Sequence, residues 1–118
     1  MVRRRSVETV KQYEVWWAGL PAPAGRRPVL LLSRNDAYTY LNKFVAVEIT
    51  TTIRGIAVEV PLGKAEGLKQ KCAANCDNLR TISRSALDKR IGYLAQRRQV
   101  EVKNAVGHAL AWDELIEL

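Results

Sequence analysis

The segment over residues 44–53 constrains the fold more than any other part of the chain, because its side chains alternate in character with a period of two. One set of alternate positions is apolar: Val45, Val47, Ile49 and Ile53. The opposite set is polar and continues beyond the segment: Glu48, Thr50, Thr52 and Arg54. This pattern predicts a strand with one face in the core and one polar face. Alternation resumes over 56–60, which predicts a hairpin turning at 52–55.

Other segments predict further strands. Residues 14–18 combine aromatic and β-branched side chains and precede a loop rich in turn formers over 19–25. The run over 28–33 is apolar at consecutive positions, which is typical of a central strand buried on both faces. Residues 34–37 predict a turn, and residues 78–82 predict a last short strand. We therefore expect a small antiparallel β-barrel.

Helices are expected late in the chain. Ser83 or Ser85 can cap a short helix that ends at Gly92. From Leu94 onward, apolar residues approximate helical spacing, which predicts a C-terminal helix. Residues 63–74 show little periodicity and are expected to form a loop with one helical turn. The predicted fold class is therefore mainly β, with some helix at the end of the chain.

The charge balance of this 118-residue chain indicates a polyanionic partner. Nineteen Lys and Arg against twelve Asp and Glu leave a net charge of +7, which suits nucleic acid, an anionic membrane face or an acidic protein segment. Two cysteines and one histidine are too few for a disulfide framework or a structural zinc site. No apolar run approaches the roughly 20 residues that cross a bilayer, and the basic N-terminus lacks the apolar stretch of a signal peptide. We expect a cytoplasmic protein without metal or cofactor.

Four motifs, taken in order, make the chain resemble the MazF/PemK/Kid toxins. The motifs lie at 27–33 followed by Asn35-Asp36, at 47–54, at 58–62 and at 76–82. The resemblance implies a toxin domain over 13–118. Residues 1–12, which are rich in Arg and Lys, are expected to form a flexible basic arm before it. It also implies an SH3-like antiparallel barrel with a short helix and a C-terminal helix, assembled as a homodimer. Members of this family are mostly ribosome-independent endoribonucleases of bacterial type II toxin-antitoxin systems.

The resemblance also implies where the chemistry lies. RNA cleavage without a metal requires the ribose 2′-OH to attack the adjacent phosphate, which gives a 2′,3′-cyclic phosphate and a 5′-hydroxyl. The family's Arg-Pro arginine matches Arg27, and its Ile-Thr threonine matches Thr50. Because a guanidinium stays protonated in proteins, we expect Arg27 to stabilise charge on the phosphorane. We expect Thr50 to donate a hydrogen bond to a phosphate oxygen or to the leaving-group oxygen. Without the resemblance, a structural salt bridge and an ordinary strand threonine are the simpler interpretation.

Further residues are expected to bind RNA. They are Arg26, Asn35, Thr52, Arg54 and Asp77. Arginines neutralise the phosphate backbone, whereas selectivity comes from unpaired bases whose edges are open to contact. The Kid branch places an arginine two positions before the Cys-Asp aspartate. Here that aspartate is Asp77 but the arginine position is Asn75, which favours a MazF-like pair and leaves a structural role open for Asp77.

The expected partners are single-stranded RNA (messenger, transfer or ribosomal) and a cognate antitoxin. The antitoxin would carry an acidic, partly disordered tail that covers the basic groove. Two other functions suit the same fold: a gyrase-binding toxin of the CcdB type and a non-catalytic RNA-binding module. The CcdB family ends its chain with Trp-Gly-Ile, whereas Asp113 follows Trp112 here, which argues against the first alternative.

Overall fold

The computed structural model describes residues 10–116, which form one antiparallel sheet with helical segments around it. The strands are β1 (Glu14–Gly19), β2 (Arg26–Leu31), β3 (Lys43–Thr50), β4 (Glu59–Leu62), β5 (Cys72–Ser83) and β6 (Leu87–Tyr93). The helices are α1 (Ala37–Tyr40) and α2 (Gln99–Leu110), with 3₁₀ turns at Lys64–Glu66, Arg84–Ala86, Gln96–Arg98 and Asp113–Leu115. The strand order is β4-β5-β3-β2-β1-β6. The sheet curls into a half-barrel beside the C-terminal helix, and the predicted mainly-β fold class is confirmed.

Apolar side chains cover both faces of the sheet. On one face, Val47 and Ile49 of β3 pack in a cluster that includes Val102 of α2. On the other face, Phe44 of β3 packs in a second cluster that includes Tyr38 of α1. The prediction that β2 is buried on both sides is confirmed, because three consecutive residues are 0% exposed: Val29, Leu30 and Leu31.

The predicted strand over 44–53 is correct only to Thr50, where β3 ends. Val45 is 39% exposed and Ile53 is 51% exposed, so the apolar face expected from the alternation is wrong at both ends. The predicted hairpin is also wrong: β3 and β4 do not pair with each other, and both pair with β5 instead. β5 is a 12-residue strand, much longer than the one predicted over 78–82, and its register against β3 shifts between Val47 and Ile49.

Side-chain hydrogen bonds explain why β3 stops where it does. The Thr50 hydroxyl accepts the backbone N–H of Thr52 (3.0 Å). The Glu59 carboxylate accepts the backbone N–H groups of Arg54 (3.0 Å) and Gly55 (2.8 Å). These bonds replace the ladder bonds that a longer strand would make, so residues 51–58 form a loop.

The helix predicted to end at Gly92 is wrong, because that stretch contains a 3₁₀ turn and β6. β6 pairs with β1, placing Leu87 opposite Ala18 and Tyr93 opposite Glu14. The predicted C-terminal helix is confirmed as α2, whereas the turn expected at 34–37 leads into the short helix α1.

The expected basic arm over 1–12 lies mostly outside the described residues, as do residues 117–118. Val10 is only 4% exposed and belongs to the core cluster beneath α1. The Gln12 side chain donates a hydrogen bond to the Leu32 carbonyl (2.7 Å). Packing therefore includes residues 10–12, which were expected in the arm. Between residues 10 and 116, no helix is long and apolar enough to span a bilayer.

Candidate functional site

The pairing of β2 with β3 brings Arg27 and Thr50 to neighbouring positions. Val29 lies opposite Glu48, and Leu30 lies opposite Val47. Continuing this antiparallel register by two residues sets Arg27 opposite Thr50, so both side chains belong to the same face of the sheet. Two positions 23 residues apart in sequence thus become cross-strand neighbours.

An open pocket of about 510 Å³ lies at this end of the sheet. Its polar lining comes from β2, from the end of β3 and from the loop before β5: Arg26, Arg27, Thr50, Thr51, Thr52, Lys69 and Gln70. Its apolar lining includes Trp17, Ile49, Leu68 and Ile91. An apolar wall with a few convergent polar groups is the usual composition of a binding site.

Arg27 is held from two sides while its side chain stays 38% exposed. Its Nε donates to the Ala24 carbonyl oxygen (3.1 Å) and lies 4.0 Å from Glu48 Oε1. The other oxygen of that carboxylate, Oε2, is bonded to Arg80 Nη1. Glu48 therefore lies between two guanidinium groups, one on β2 and one on β5.

Arg26 faces the pocket beside Trp17. Its guanidinium carbon lies 4.3 Å from the centroid of the Trp17 ring, and its Nε (3.0 Å) and Nη2 (2.8 Å) donate to Asp88 Oδ2. Both charged side chains are about half exposed, so their ion pair contributes little to stability. An incoming phosphate can compete with Asp88 for this arginine.

The Thr50 hydroxyl can still donate one hydrogen bond. Its Oγ1 accepts the Thr52 N–H, and a hydroxyl that accepts also has its own hydrogen to donate. Thr50 and Thr52 both line the pocket, so the structure brings four of the predicted site residues together, the other two being Arg26 and Arg27.

Three predicted RNA-binding residues lie away from the pocket lining. Arg54 is exposed in the loop after β3. Asn35 lies in the turn before α1, where its Oδ1 accepts the Gln12 N–H (2.8 Å). Asp77 is an exposed residue of β5 whose N–H donates to Asn75 Oδ1 (2.9 Å).

Several lining residues were not predicted from the sequence as parts of the site. Trp17 carries a usable signal, because it follows the buried Trp16 on a strand and must therefore face the other side. Lys69 and Gln70 lie in an aperiodic segment that gives no comparable signal. Glu48 was visible only as one member of the polar face of β3.

Cys72 also lines the pocket, and burial raises the pKa of its thiol. The thiol is therefore protonated near neutral pH and is a poor nucleophile there. Within the part of the chain that the structure describes, no three His, Cys, Asp or Glu side chains cluster as metal ligands.

These observations define a small basic domain with a curled antiparallel sheet, a C-terminal helix and an arginine–threonine pair at an open pocket. The model of the PemK-like, MazF-like toxins of type II toxin-antitoxin systems matches residues 11–110. The chain belongs to this family, and the predicted membership is confirmed.

Individual relatives agree with this assignment. "Endoribonuclease MazF3" of Mycobacterium tuberculosis is 38% identical over 90 residues, which cover 76% of this chain and 87% of the relative. The solved M. tuberculosis toxin MazF-mt6 superposes with a TM-score of 0.79 at 33% identity, covering 89% of this chain and 99% of the toxin. A mycobacterial endoribonuclease solved with its cognate antitoxin has a TM-score of 0.75 at 25% identity, covering 87% and 96% of the two chains.

Proposed function

We propose that this toxin is an endoribonuclease that cleaves single-stranded RNA at selected sequences, without a metal ion, a cofactor or the ribosome. The observation that carries the proposal is that Arg27 and Thr50 both line the pocket, at positions that face each other when the β2–β3 register is continued by two residues. The relatives named as endoribonucleases support the same activity. The gyrase-binding alternative and the non-catalytic RNA-binding alternative have no comparable support.

The reaction follows from what these two side chains can do. The ribose 2′-oxygen forms a bond to phosphorus, and the bond from phosphorus to the 5′-oxygen breaks. The Arg27 guanidinium stabilises the extra negative charge on the phosphorane, because it is a fixed cation that already points into the site. The Thr50 hydroxyl donates its hydrogen to the leaving 5′-oxygen and is then reprotonated by water.

The remaining predicted residues are assigned to RNA binding around this centre. Arg26 and Thr52 would contact phosphates next to the scissile bond, because both line the pocket. Arg54, Asn35 and Asp77 would contact nucleotides farther along the strand. Messenger RNA is the proposed target, with transfer and ribosomal RNA as the other possible substrates.

The proposed assembly is a homodimer in the bacterial cytoplasm, blocked by a cognate antitoxin. An acidic, partly disordered antitoxin tail suits a chain whose net charge is +7. The mycobacterial relative solved with its antitoxin supports a partner of this kind.

Incubating the purified protein with a long RNA in EDTA tests the proposal. We expect discrete cuts with 5′-hydroxyl and 2′,3′-cyclic phosphate ends. Arg27→Ala and Thr50→Ala should each slow cleavage by about 10² to 10³-fold, the loss typical of removing one preorganised donor. The matched controls are Arg34→Ala and Thr81→Ala, which replace an exposed arginine and an exposed strand threonine outside the pocket lining.

The other outcomes separate the alternatives. Retention on RNA without cuts would favour the binding module, and neither cuts nor retention would favour a gyrase-binding toxin. Cleavage that requires a divalent ion would contradict the proposed chemistry. Wild-type rates in a folded Arg27→Ala or Thr50→Ala protein would remove that residue from the mechanism.

A further inference from the structure

The reaction described above needs a group that takes the proton from the 2′-hydroxyl, and most of the pocket residues are unsuited to that task. Arginine and lysine side chains carry only donors when charged, which applies to Arg26, Arg27 and Lys69. Cys72 is a protonated thiol, because burial raises its pKa. The described residues of the lining include no carboxylate and no histidine, so a carboxylate next to the lining is the strongest candidate for the proton acceptor.

Glu48 is a carboxylate in the right place. It lies two residues before Thr50 on β3, so the two side chains share a face of the sheet. Its side chain is 19% exposed, and Oε1 lies 4.0 Å from Arg27 Nε. Oε2 is occupied by Arg80, which fixes the carboxylate from the β5 side. Among residues 10–116, Arg27 Nε approaches Oε1 at this 4.0 Å, which is longer than a hydrogen bond, so Oε1 keeps lone pairs that can accept a hydrogen bond from a hydroxyl.

We propose that Glu48 is the general base of the cleavage reaction, an inference that rests on the proposed endoribonuclease function. Glu48 Oε1 takes the proton of the 2′-hydroxyl as the 2′-oxygen bonds to phosphorus. The bond to the 5′-oxygen breaks, and that oxygen takes the Thr50 proton. Water then returns a proton to Thr50, and Glu48 gives its proton to solvent, so the enzyme ends as it began.

The two arginines have different roles in this arrangement. Arg80 stays bonded to Oε2 and fixes the orientation of the carboxylate. Arg27 Nε donates to the Ala24 carbonyl and makes only a long contact to Oε1, so an incoming phosphodiester competes with a neutral carbonyl and a distant carboxylate for this guanidinium. Binding of the guanidinium to the phosphate leaves Oε1 facing the ribose next to the phosphate, where a base must lie.

Single-turnover cleavage by Glu48→Gln tests the assignment. Glutamine keeps the length of the side chain and an oxygen for Arg80, but it does not accept a proton near neutral pH. We expect cleavage to slow by about 10² to 10⁴-fold, the usual contribution of a general base. Glu48→Asp keeps the carboxylate, so its cleavage rate should fall less than that of Glu48→Gln. The matched control is Asp36→Asn, which neutralises an exposed carboxylate paired with Arg34 outside the pocket lining.

A second substrate separates the base from the acid. In an RNA with sulfur in place of the scissile 5′-oxygen, the leaving thiolate needs no proton. The defect of Thr50→Ala should therefore disappear with this substrate, whereas the defect of Glu48→Gln should remain. The substrate is an oligoribonucleotide that spans a cut site mapped with the wild-type protein.

Each result decides the question. A folded Glu48→Gln protein that cuts within threefold of wild type would overturn the assignment. Rescue of its defect by the sulfur substrate would also overturn it, because Glu48 would then act on the leaving group. Should Glu48→Gln not fold, Glu48→Gln/Arg80→Gln removes both charges of the Glu48–Arg80 ion pair and should be equally slow. If the wild-type protein cuts neither substrate, the proposed endoribonuclease function itself fails.

Discussion

Replacing Arg98 by methionine tests how much the contacts of this residue contribute to the free energy of unfolding. Arg98 precedes α2 and joins it to Pro61 and Glu66, just before the pocket residue Leu68. Arg98 Nη1 donates to Glu66 Oε2 (3.1 Å), and Nη2 donates to the Pro61 carbonyl (2.7 Å). Its Nε and Nη2 also donate to both carboxylate oxygens of Glu101, at 3.0 and 2.6 Å. The side chain is only 17% exposed, and that of Glu66 is 4% exposed. Methionine fills a similar volume but leaves the Glu66 carboxylate buried without its cation.

The expected loss in the free energy of unfolding is large for a residue so close to the surface. Removing one partner of a buried ion pair costs about 3 to 5 kcal/mol. Because Arg98 is not fully buried, we take the lower figure, about 3 kcal/mol. At about 4 °C per kcal/mol, the melting temperature falls by roughly 12 °C. With a urea m-value of about 1.5 kcal/mol/M, the unfolding midpoint falls by about 2 M.

Urea and thermal unfolding followed by circular dichroism measure this loss. The control is Arg97→Met, which removes the neighbouring, exposed arginine. In the double variant Arg98→Met/Glu66→Gln the buried charge is absent, so we expect it to recover part of the loss. A loss below 1 kcal/mol, or one equal to that of Arg97→Met, would refute the reasoning.

The pH dependence of stability provides a second readout of the same contact. The hydrogen bond from Arg98 lowers the pKa of Glu101 below its ordinary value of 4.5. A lowered pKa in the folded state means that this contribution is present above pH 4.5 and is lost as the pH falls further. Since the Glu101 side chain is 41% exposed, the contribution is below about 1 kcal/mol. Wild type and Glu101→Gln should therefore differ most near neutral pH and converge in acid.

Three smaller predictions follow from buried contacts. Burial and the neighbouring Asp77 carboxylate raise the pKa of Cys76 to about 11, so iodoacetamide at pH 8 should leave this thiol largely unlabelled until urea unfolds the chain, as peptide mass mapping can measure. A Cβ at Gly92 would collide with a backbone carbonyl of the 3₁₀ turn at Lys64–Glu66, so Gly92→Ala should lower the free energy of unfolding in urea by about 3 kcal/mol. The control is Gly63→Ala, whose Cβ would meet nothing within 4 Å and which should lower it by less than about 1 kcal/mol. Tyr38→Phe removes the hydrogen bond to a backbone carbonyl (2.8 Å) and should lower the free energy of unfolding by about 1 kcal/mol.

The parts of the fold that were predictable are those whose pattern has one interpretation. The apolar run over 28–33 is too short for a typical helix and fits a strand covered on both sides, and α2 has the length and spacing of a helix. The helix predicted in place of β6 rested on Ser83 or Ser85 as its cap and Gly92 as its end, and Leu87 and Ile91, four residues apart, suit a helical face and a strand face equally. The segment forms a strand because it pairs with the edge of β1, which lies roughly 70 to 80 residues earlier in the sequence. A local sequence pattern does not reveal this long-range pairing.

The candidate site was predictable to a similar extent. Arg27 and Thr50 came from the family resemblance, and the register of β2 against β3 supplies the geometry that periodicity alone did not. The hairpin prediction failed because the Glu59 carboxylate holds the loop after β3, a contact that alternation does not reveal. Glu48 was not predictable as a site residue, because its place in the site depends on contacts with Arg27 of β2 and Arg80 of β5.

The pairing of β1 with β6 has a consequence for the cell that makes this toxin. Glu14 of β1 pairs with Tyr93 of β6, so nearly eighty more residues must be synthesised before this pair can form. The pocket has the same requirement, because Trp17 and Ile91 both line it. Pairing between such distant parts of a chain is slow, because closing the long loop between them costs entropy. A nascent chain that has not yet reached residue 93 therefore lacks both the outer neighbour of β1 and one wall of the pocket.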